Sequence, residues 1–333
     1  MGRDDVSRQR QVGAAASRVL DQRVEVIGRL GRGRAHQSWM AHTESYGTVV
    51  VKTGLQRPET HVVGRLAEHR RVHTAGIAVP EMLGWSTTTL EMSSRLVAVA
   101  TFLPGTDAED WHASVVEGDG AMQSVLRGVG EELARLHRLD TPGFSEHPHA
   151  DQPVTSSWAE LVATRVENLQ HTDKPVFRAV DRRVFDAACA LVTEQAEAVS
   201  SVVSPSVVHG DVYLPNVLVE RGCFAALMDL EHLRWLDPVM DFVKPAMWVC
   251  EGQPDWAASF VAGYWSVAGC PEQFGERLSV ATGLELLTGV LFWARVGEAG
   301  MRADYWRRLE RWVSSDGADH ACASWESSMS EQS

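Results

Sequence analysis

Lysine is scarce in this 333-residue chain: of 31 basic residues only Lys52, Lys174 and Lys244 are lysines, and the rest are arginine. Excess positive charge is missing too, with a formal net charge of −13 and a pI of about 5.5. A nucleic-acid partner is therefore not expected, because a phosphate backbone repels such a surface. The five cysteines, Cys189, Cys223, Cys250, Cys270 and Cys322, are scattered and show no C-x-x-C spacing. This argues against a disulfide framework or a cysteine zinc site and fits a reducing compartment. The opening stretch "MGRDDVSRQRQVGAAA" has no apolar run of signal-peptide length. The most apolar long window, 278–297, carries Glu285 and Arg295 and reads as a buried helix, not a membrane span. No serine stands in a G-x-S-x-G setting, so Ser–His–Asp hydrolysis lacks its signature. The expectation is a cytoplasmic protein with no membrane contact, monomeric or homodimeric.

Hydrophobic residues make up 44% of the chain, enough for a full core. Residues 1–17 are polar and are expected to form a disordered or helical arm. From 23 to 54, short β-favouring runs are broken by glycine, which predicts an antiparallel sheet. The stretch 58–75 predicts one helix, with Pro58 at its start and Gly76 as its stop. "VPEMLGW" and "RLVAVATFLPG" add one or two strands. After Pro104 the apolar period becomes helical, as in 121–139, where Val125, Val129, Leu133 and Leu136 share a face. A short β-rich interruption spans 206–230, and the rest is helical and rich in tryptophan. The fold class expected is α+β, with residues 1–103 forming a small antiparallel sheet lobe with one helix. A hinge near 100–105 leads to a larger, mainly helical lobe, 104–317, and 318–333 are expected to be a disordered polar tail.

Chemistry enters with "VVHGDVYLPNVLVE" (207–220). His209, Gly210, Asp211 and Asn216 precede an apolar run, and "FAALMDLEH" (224–232) ends a second apolar run in Asp229 and Glu231. A carboxylate and a carboxamide are hard oxygen donors, the kind Mg²⁺ prefers when phosphate oxygens and water complete its shell. An aspartate closing a buried strand is otherwise costly. Upstream, Lys52 follows three valines in "VVVKTG". In a chain that uses arginine almost everywhere, a lysine there suggests a compact point charge meeting an anion. Gly28, Gly31 and Gly33 lie between the first two predicted strands, where backbone N–H groups could approach phosphates without a Cβ in the way. Any one of these alone reads equally well as turn or surface chemistry. Their order is the signal: a lysine strand, then H-G-D-x-x-x-x-N, then a strand ending in D-x-E. Phosphoryl transfer needs these parts.

With "IAVPEMLG", "FLPG", "LARLHRLDTPGF", "LMDLEHLRWLDPVMDF" and "FVAGYW", the set resembles the aminoglycoside phosphotransferase and choline kinase-like family over residues 25–265. The resemblance implies a bilobal protein-kinase-like fold and an enzyme that phosphorylates a hydroxyl using ATP (or GTP) and Mg²⁺. It implies Asp211 as the catalytic aspartate, Asn216 and Asp229 as metal ligands, His209 and Asp241 as supports, and Lys52 on the α- and β-phosphates. Glu68, with Glu59 as the alternative, is the candidate partner of Lys52. Adenine would dock at Ala100, Thr101 and Phe102 through backbone groups, and Gly31 and Gly33 would lie over the phosphates. Glu231, Glu251 and Asp255 are candidates for the acceptor pocket. Leu236 departs from the glycine usual before the later Asp-Pro. The acceptor expected is a hydroxylated small molecule, possibly cationic: an antibiotic of aminoglycoside-like, hygromycin or viomycin type. The alternatives are a metabolic kinase for choline, homoserine or a thiosugar, and a nucleotide-binding regulatory pseudokinase.

Overall fold

A computed structural model describes residues 3–30, 37–55, 60–90, 93–114, 120–148, 154–171, 181–318 and Trp325. Five antiparallel strands form one sheet: β1 (Val24–Leu30), β2 (Gln37–Thr43), β3 (Gly47–Leu55), β4 (Met82–Leu90) and β5 (Ser93–Thr101), in the order β1-β2-β3-β5-β4. Side chains alternate across a strand, and here each face has its own helix. On one face, Val49, Val51, Val97 and Val99 pack with Val12, Ala15 and Ala16 of α1 (Arg3–Leu20). On the other, Leu96 and Ala98 meet Leu66 of α2 (Thr60–Thr74). Lys52 lies opposite Ala98 in the ladder and so points to the α2 side. The polar opening stretch thus takes the helical of its two expected forms and docks on the sheet. Its alanines and Val12 form an apolar stripe that covers the sheet.

β5 leads past Gly105 into β6 (Thr106–Asp107), which pairs with β8 (Val217–Glu220) and, through it, β9 (Cys223–Leu227). Gly105 has φ +138°, and a Cβ there would stand 2.6 Å from the Val219 carbonyl oxygen, so only glycine lets the crossing chain lie this close. A second ribbon joins β7 (Ser206–Val208) to β10 (Arg234–Leu236). Among the described residues the helical part comprises α3 (Ala108–Ser114), α4 (Gly120–Leu136), α5 (Trp158–Gln170), α6 (Arg182–Val199), α7 (Met240–Lys244), α8 (Pro254–Ala268), α9 (Phe274–Val296) and α10 (Ala299–Ser314). Ser157 and Asp181 cap α5 and α6 by accepting from the first-turn amides of Glu160 and Arg183. α9 is long and apolar enough to cross a membrane by length and composition, but Leu278, Val280, Leu284 and Leu287 lie in the core. Trp325, in the stretch expected to be a disordered tail, is fully buried against Phe242 and Phe260. One large indole meeting that aromatic cluster outweighs the polar residues around it.

The tightest helix contact in the core is α4 on α8. A Cβ at Gly130 would stand 2.1 Å from the Phe260 carbonyl oxygen, and one at Gly263 would stand 2.1 Å from that of Arg127. The two backbones touch, and Phe260 and Tyr264 of α8 pack on Phe242 of α7. Replacing Gly130 by alanine is expected to destabilise the protein by about 1–3 kcal/mol, the usual cost of overpacking. Denaturant unfolding measures it; an unchanged midpoint would show that the helices separate freely.

Candidate active site

The loop between β7 and β8 carries His209, Gly210, Asp211 and Asn216. It is held from beneath by Asp241, a fully buried carboxylate in the first turn of α7. Asp241 accepts the His209 amide at 2.7 Å and the Gly210 amide at 2.6 Å. His137, just past the end of α4, sits 3.0 Å from the same carboxylate and 2.8 Å from the Tyr264 hydroxyl. Burial alone would raise the Asp241 carboxyl, but His137 and these amides hold it below its ordinary value. Gly210 has φ +76°, and a Cβ would stand 2.8 Å from both the His232 carbonyl oxygen and the Arg234 guanidinium. The glycine of H-G-D is required by sterics as well as by conformation.

The next residue, Asp211, faces the cleft. Its Oδ2 accepts from Asn216 Nδ2 at 2.9 Å, and Asn216 also donates to the Asp211 carbonyl at 2.9 Å. The carboxamide nitrogen is thus committed, and the carboxamide oxygen is the atom left to meet a cation. Met228 N–H donates to the Asn216 carbonyl at 2.8 Å, which seats the β9 end, and Asp229 after it, against the Asn216 turn. The Asp229 backbone is left-handed, φ +59°, a conformation tolerated by Asp more readily than by most side chains and costing about 1 kcal/mol or more. His209 Nε2 lies 2.8 Å from the Met228 carbonyl and braces the same junction.

Lys52 crosses from the sheet to reach this junction. Its ammonium donates to Asp229 Oδ1 at 2.7 Å and to Glu231 Oε1 at 2.7 Å. Burial would weaken the ammonium, but the two carboxylates outweigh it and raise the Lys52 pKa, so it stays charged. Glu68 is not the partner of Lys52. It is buried in α2, accepts from Arg71 at 2.6 Å and 2.9 Å, and accepts the Trp235 indole N–H at 2.9 Å. It ties the helix to β10, and the D-x-E glutamate takes the place beside the lysine. Glu231, expected in the acceptor pocket, is bonded instead to Lys52.

Other expected residues fall elsewhere. Glu251 pairs with Arg308 at 2.8 Å on the surface beside α10. Asp255 is exposed in the first turn of α8. In the segment expected to meet adenine through its backbone, the Phe102 amide donates to the Thr48 carbonyl at 3.2 Å and the Thr101 amide donates to that of Glu81 at 3.0 Å. Ala100 lies within the ladder opposite Val50 and Met82. The amides of Thr101 and Phe102 are thus paired within the sheet. Gly31, Gly33 and Glu59 lie outside the described residues, and Gly28 sits at a bulge of β1. Sequence reading missed a role for Lys244, whose ammonium lies 2.5 Å from Asp211 Oδ1. Its rarity as a lysine was the available signal.

Carboxylates outnumber ammonium groups here, which suits a divalent cation. Among the described residues no three His, Cys, Asp or Glu side chains form a group that could hold a metal. Asp229 and the Asn216 carboxamide oxygen fit the other mode, in which Mg²⁺ takes one or two protein oxygens and completes its shell from phosphate and water.

Residues 26–272 match the sequence profile described as the phosphotransferase enzyme family. No protein of curated function matches the sequence. Among solved structures, the chain is similar to a thermostable mutant of aminoglycoside phosphotransferase APH(4)-Ia in ternary complex with AMP-PNP and hygromycin B: 17% identity, 89% of this chain and 95% of that one covered, TM-score 0.64. It is also similar to macrolide 2'-phosphotransferase MphH from Brachybacterium faecium: 17% identity, 90% and 96% covered, TM-score 0.55. A GDP and kanamycin complex of APH(2")-IIia gives 13% identity, 92% and 98% covered, TM-score 0.56. At these identities the likeness is one of fold, the bilobal protein-kinase-like α+β fold.

A cluster beside the loop sets an acid limit on stability. Glu146 accepts from Arg165 at 2.9 Å and from Arg234 at 3.2 Å, and its carbonyl accepts from Arg65 at 3.3 Å. Burial would raise the Glu146 carboxyl, but Arg165 and Arg234 bring it down to about 2 from an ordinary 4.5. A depressed folded value means stability that is present above 4.5 and lost as pH falls towards 2. Glu146→Gln should be less stable than wild type at neutral pH, with the gap closing across that acid window. Unfolding midpoints against pH check this; a gap constant down to the acid limit would contradict the assignment.

Proposed function

The chain belongs to the phosphotransferase enzyme family, and from the site described we propose that it moves the γ-phosphoryl group of ATP, with Mg²⁺, to a hydroxyl of a small-molecule antibiotic of the aminoglycoside-like, hygromycin or viomycin type. The observation that carries this reading is the meeting of Lys52 from the sheet with Asp229 and Glu231 from the helical part, beside Asp211 and Asn216. The fold shared with a hygromycin-binding and a macrolide-modifying phosphotransferase supports an antibiotic acceptor. A net charge of −13 also suits a cationic one. Lys52, Asp211, Asn216 and Asp229 are all present, which disfavours a pseudokinase.

When bound, the metal nucleotide supplies the phosphoryl group and a divalent charge that spreads over its oxygens. Asp211 accepts the hydrogen bond of the acceptor hydroxyl and aims its oxygen at the phosphorus. Lys52 turns its remaining N–H donor to the α- and β-phosphates while Glu231 keeps the ammonium in place. Asn216 and Asp229 would hold the metal, the first through its free carboxamide oxygen. Little covalent chemistry is asked of these groups; alignment and charge neutralisation lower the barrier.

Purified protein with Mg²⁺ and ATP is expected to add the mass of one phosphate to a member of an antibiotic panel. Asp211→Ala should cut turnover about 10²–10⁴-fold. Full turnover by that variant would remove Asp211 from the chemistry. Transfer to choline, homoserine or a thiosugar, with every antibiotic untouched, would make the enzyme a metabolic kinase.

A further inference from the structure

Two side chains of α7, one turn apart, grip the catalytic loop at different levels. Asp241 takes the amides of His209 and Gly210. Lys244, three residues on and so on the same helical face, reaches the next residue and bonds its carboxylate, Asp211 Oδ1, at 2.5 Å. With Asn216 Nδ2 on Oδ2 at 2.9 Å, both oxygens of Asp211 are held and its plane has one orientation. We propose that Lys244, from outside the H-G-D-x-x-x-x-N segment, is a positioning residue that fixes the Asp211 carboxylate for the acceptor hydroxyl. The role rests on the phosphotransferase reading above and adds to it a residue of this chain.

The lysine is itself braced. Its side chain is one-quarter exposed and that of Asp211 16% exposed, so neither charge is fully hydrated. Burial would weaken the ammonium, but Glu285 of α9 and Asp211 keep it protonated. Tyr305 of α10 donates to Glu285 at 3.0 Å, and its ring lies 5.7 Å from that of Trp248. A carboxylate of α9, itself held from α10, thus backs an ammonium whose bonded target is the Asp211 carboxylate. Such an ammonium makes Asp211 a weaker base. That costs little where the transition state is loose and the carboxylate mainly orients the nucleophile. A carboxylate free to rotate would lose alignment, which matters more. The remaining N–H donors of Lys244 stay near the transferring group, where added positive charge is favourable.

Two measurements test the role. With only three lysines in the chain, the side-chain ammonium region of a ¹⁵N spectrum is sparse, and Lys244→Met identifies the Lys244 signal by its loss. Asp211→Asn is expected to shift or broaden that signal and leave the Lys174 signal in place; an unmoved Lys244 signal would overturn the contact. In kinetics, Lys244→Met keeps an unbranched stem and is expected to lower kcat about 10²-fold, with the nucleotide KM within about twofold, a loss of alignment and not of binding. Lys244→Arg retains a cation that can bond the carboxylate and should recover about tenfold of that loss. A Lys244→Cys variant alkylated with bromoethylamine, which rebuilds a lysine-length ammonium, should recover more, with alkylated wild type as the control for Cys223 and Cys270. An active wild type matched by Lys244→Met, or a change confined to KM, overturns this role alone. A wild type inert towards every acceptor overturns the phosphotransferase reading and this role with it.

Discussion

One ammonium joins the two parts of the molecule. Lys52 leaves the middle strand of a five-stranded sheet and ends between Asp229 and Glu231, carboxylates that arrive 177 and 179 residues later in the chain. The alternation of β3 dictates its direction. Val49 and Val51 are committed to the α1 side, so Lys52 must emerge on the opposite face, towards the catalytic loop. A charge pulled out of bulk water needs partners, and the D-x-E turn provides two. The same contact places the sheet beside the junction that the Met228 amide ties to Asn216.

The loop opposite is built in layers. A buried carboxylate, Asp241, replaces the hydrogen bonds that the His209 and Gly210 amides would lose on leaving water. Glycine at 210 admits the close passage of His232 and Arg234. His209 then bridges to Met228, and Asn216 folds back on Asp211. Each contact removes a degree of freedom from the loop that carries Asp211 and Asn216. Positioning of this kind is the main contribution a protein makes to phosphoryl transfer.

Much of this was legible in the sequence, for definite reasons. The sheet and helices follow from the change of apolar period near Pro104. Asp211, Asn216 and Asp229 stand in a local pattern that the structure brings together, and Lys52, which meets Asp229, was marked by the rarity of lysine. The contacts hidden from sequence are the long-range ones. Glu68 looked like the partner of Lys52 because of its helix, but its indole partner, Trp235, is 167 residues away. Lys244 reaches Asp211 only because α7 folds beneath the loop. The Phe102 amide pairs with the Thr48 carbonyl, far away in the sequence. The opening helix and Trp325 were read as loose because their neighbours are polar, although a few apolar side chains suffice to dock them.

The most direct test is calorimetric titration of a non-hydrolysable ATP analogue, with and without Mg²⁺, into wild type, Lys52→Ala and Asp229→Ala. Convergence of these two residues on one metal-bound triphosphate predicts Mg²⁺-dependent binding by wild type. It also predicts at least a tenfold loss in each variant, about 1.4 kcal/mol, and a double variant losing less than the sum of the two. Wild-type binding that neither substitution weakens would mean that the nucleotide sits elsewhere and that the ion pair between the lobes is only structural.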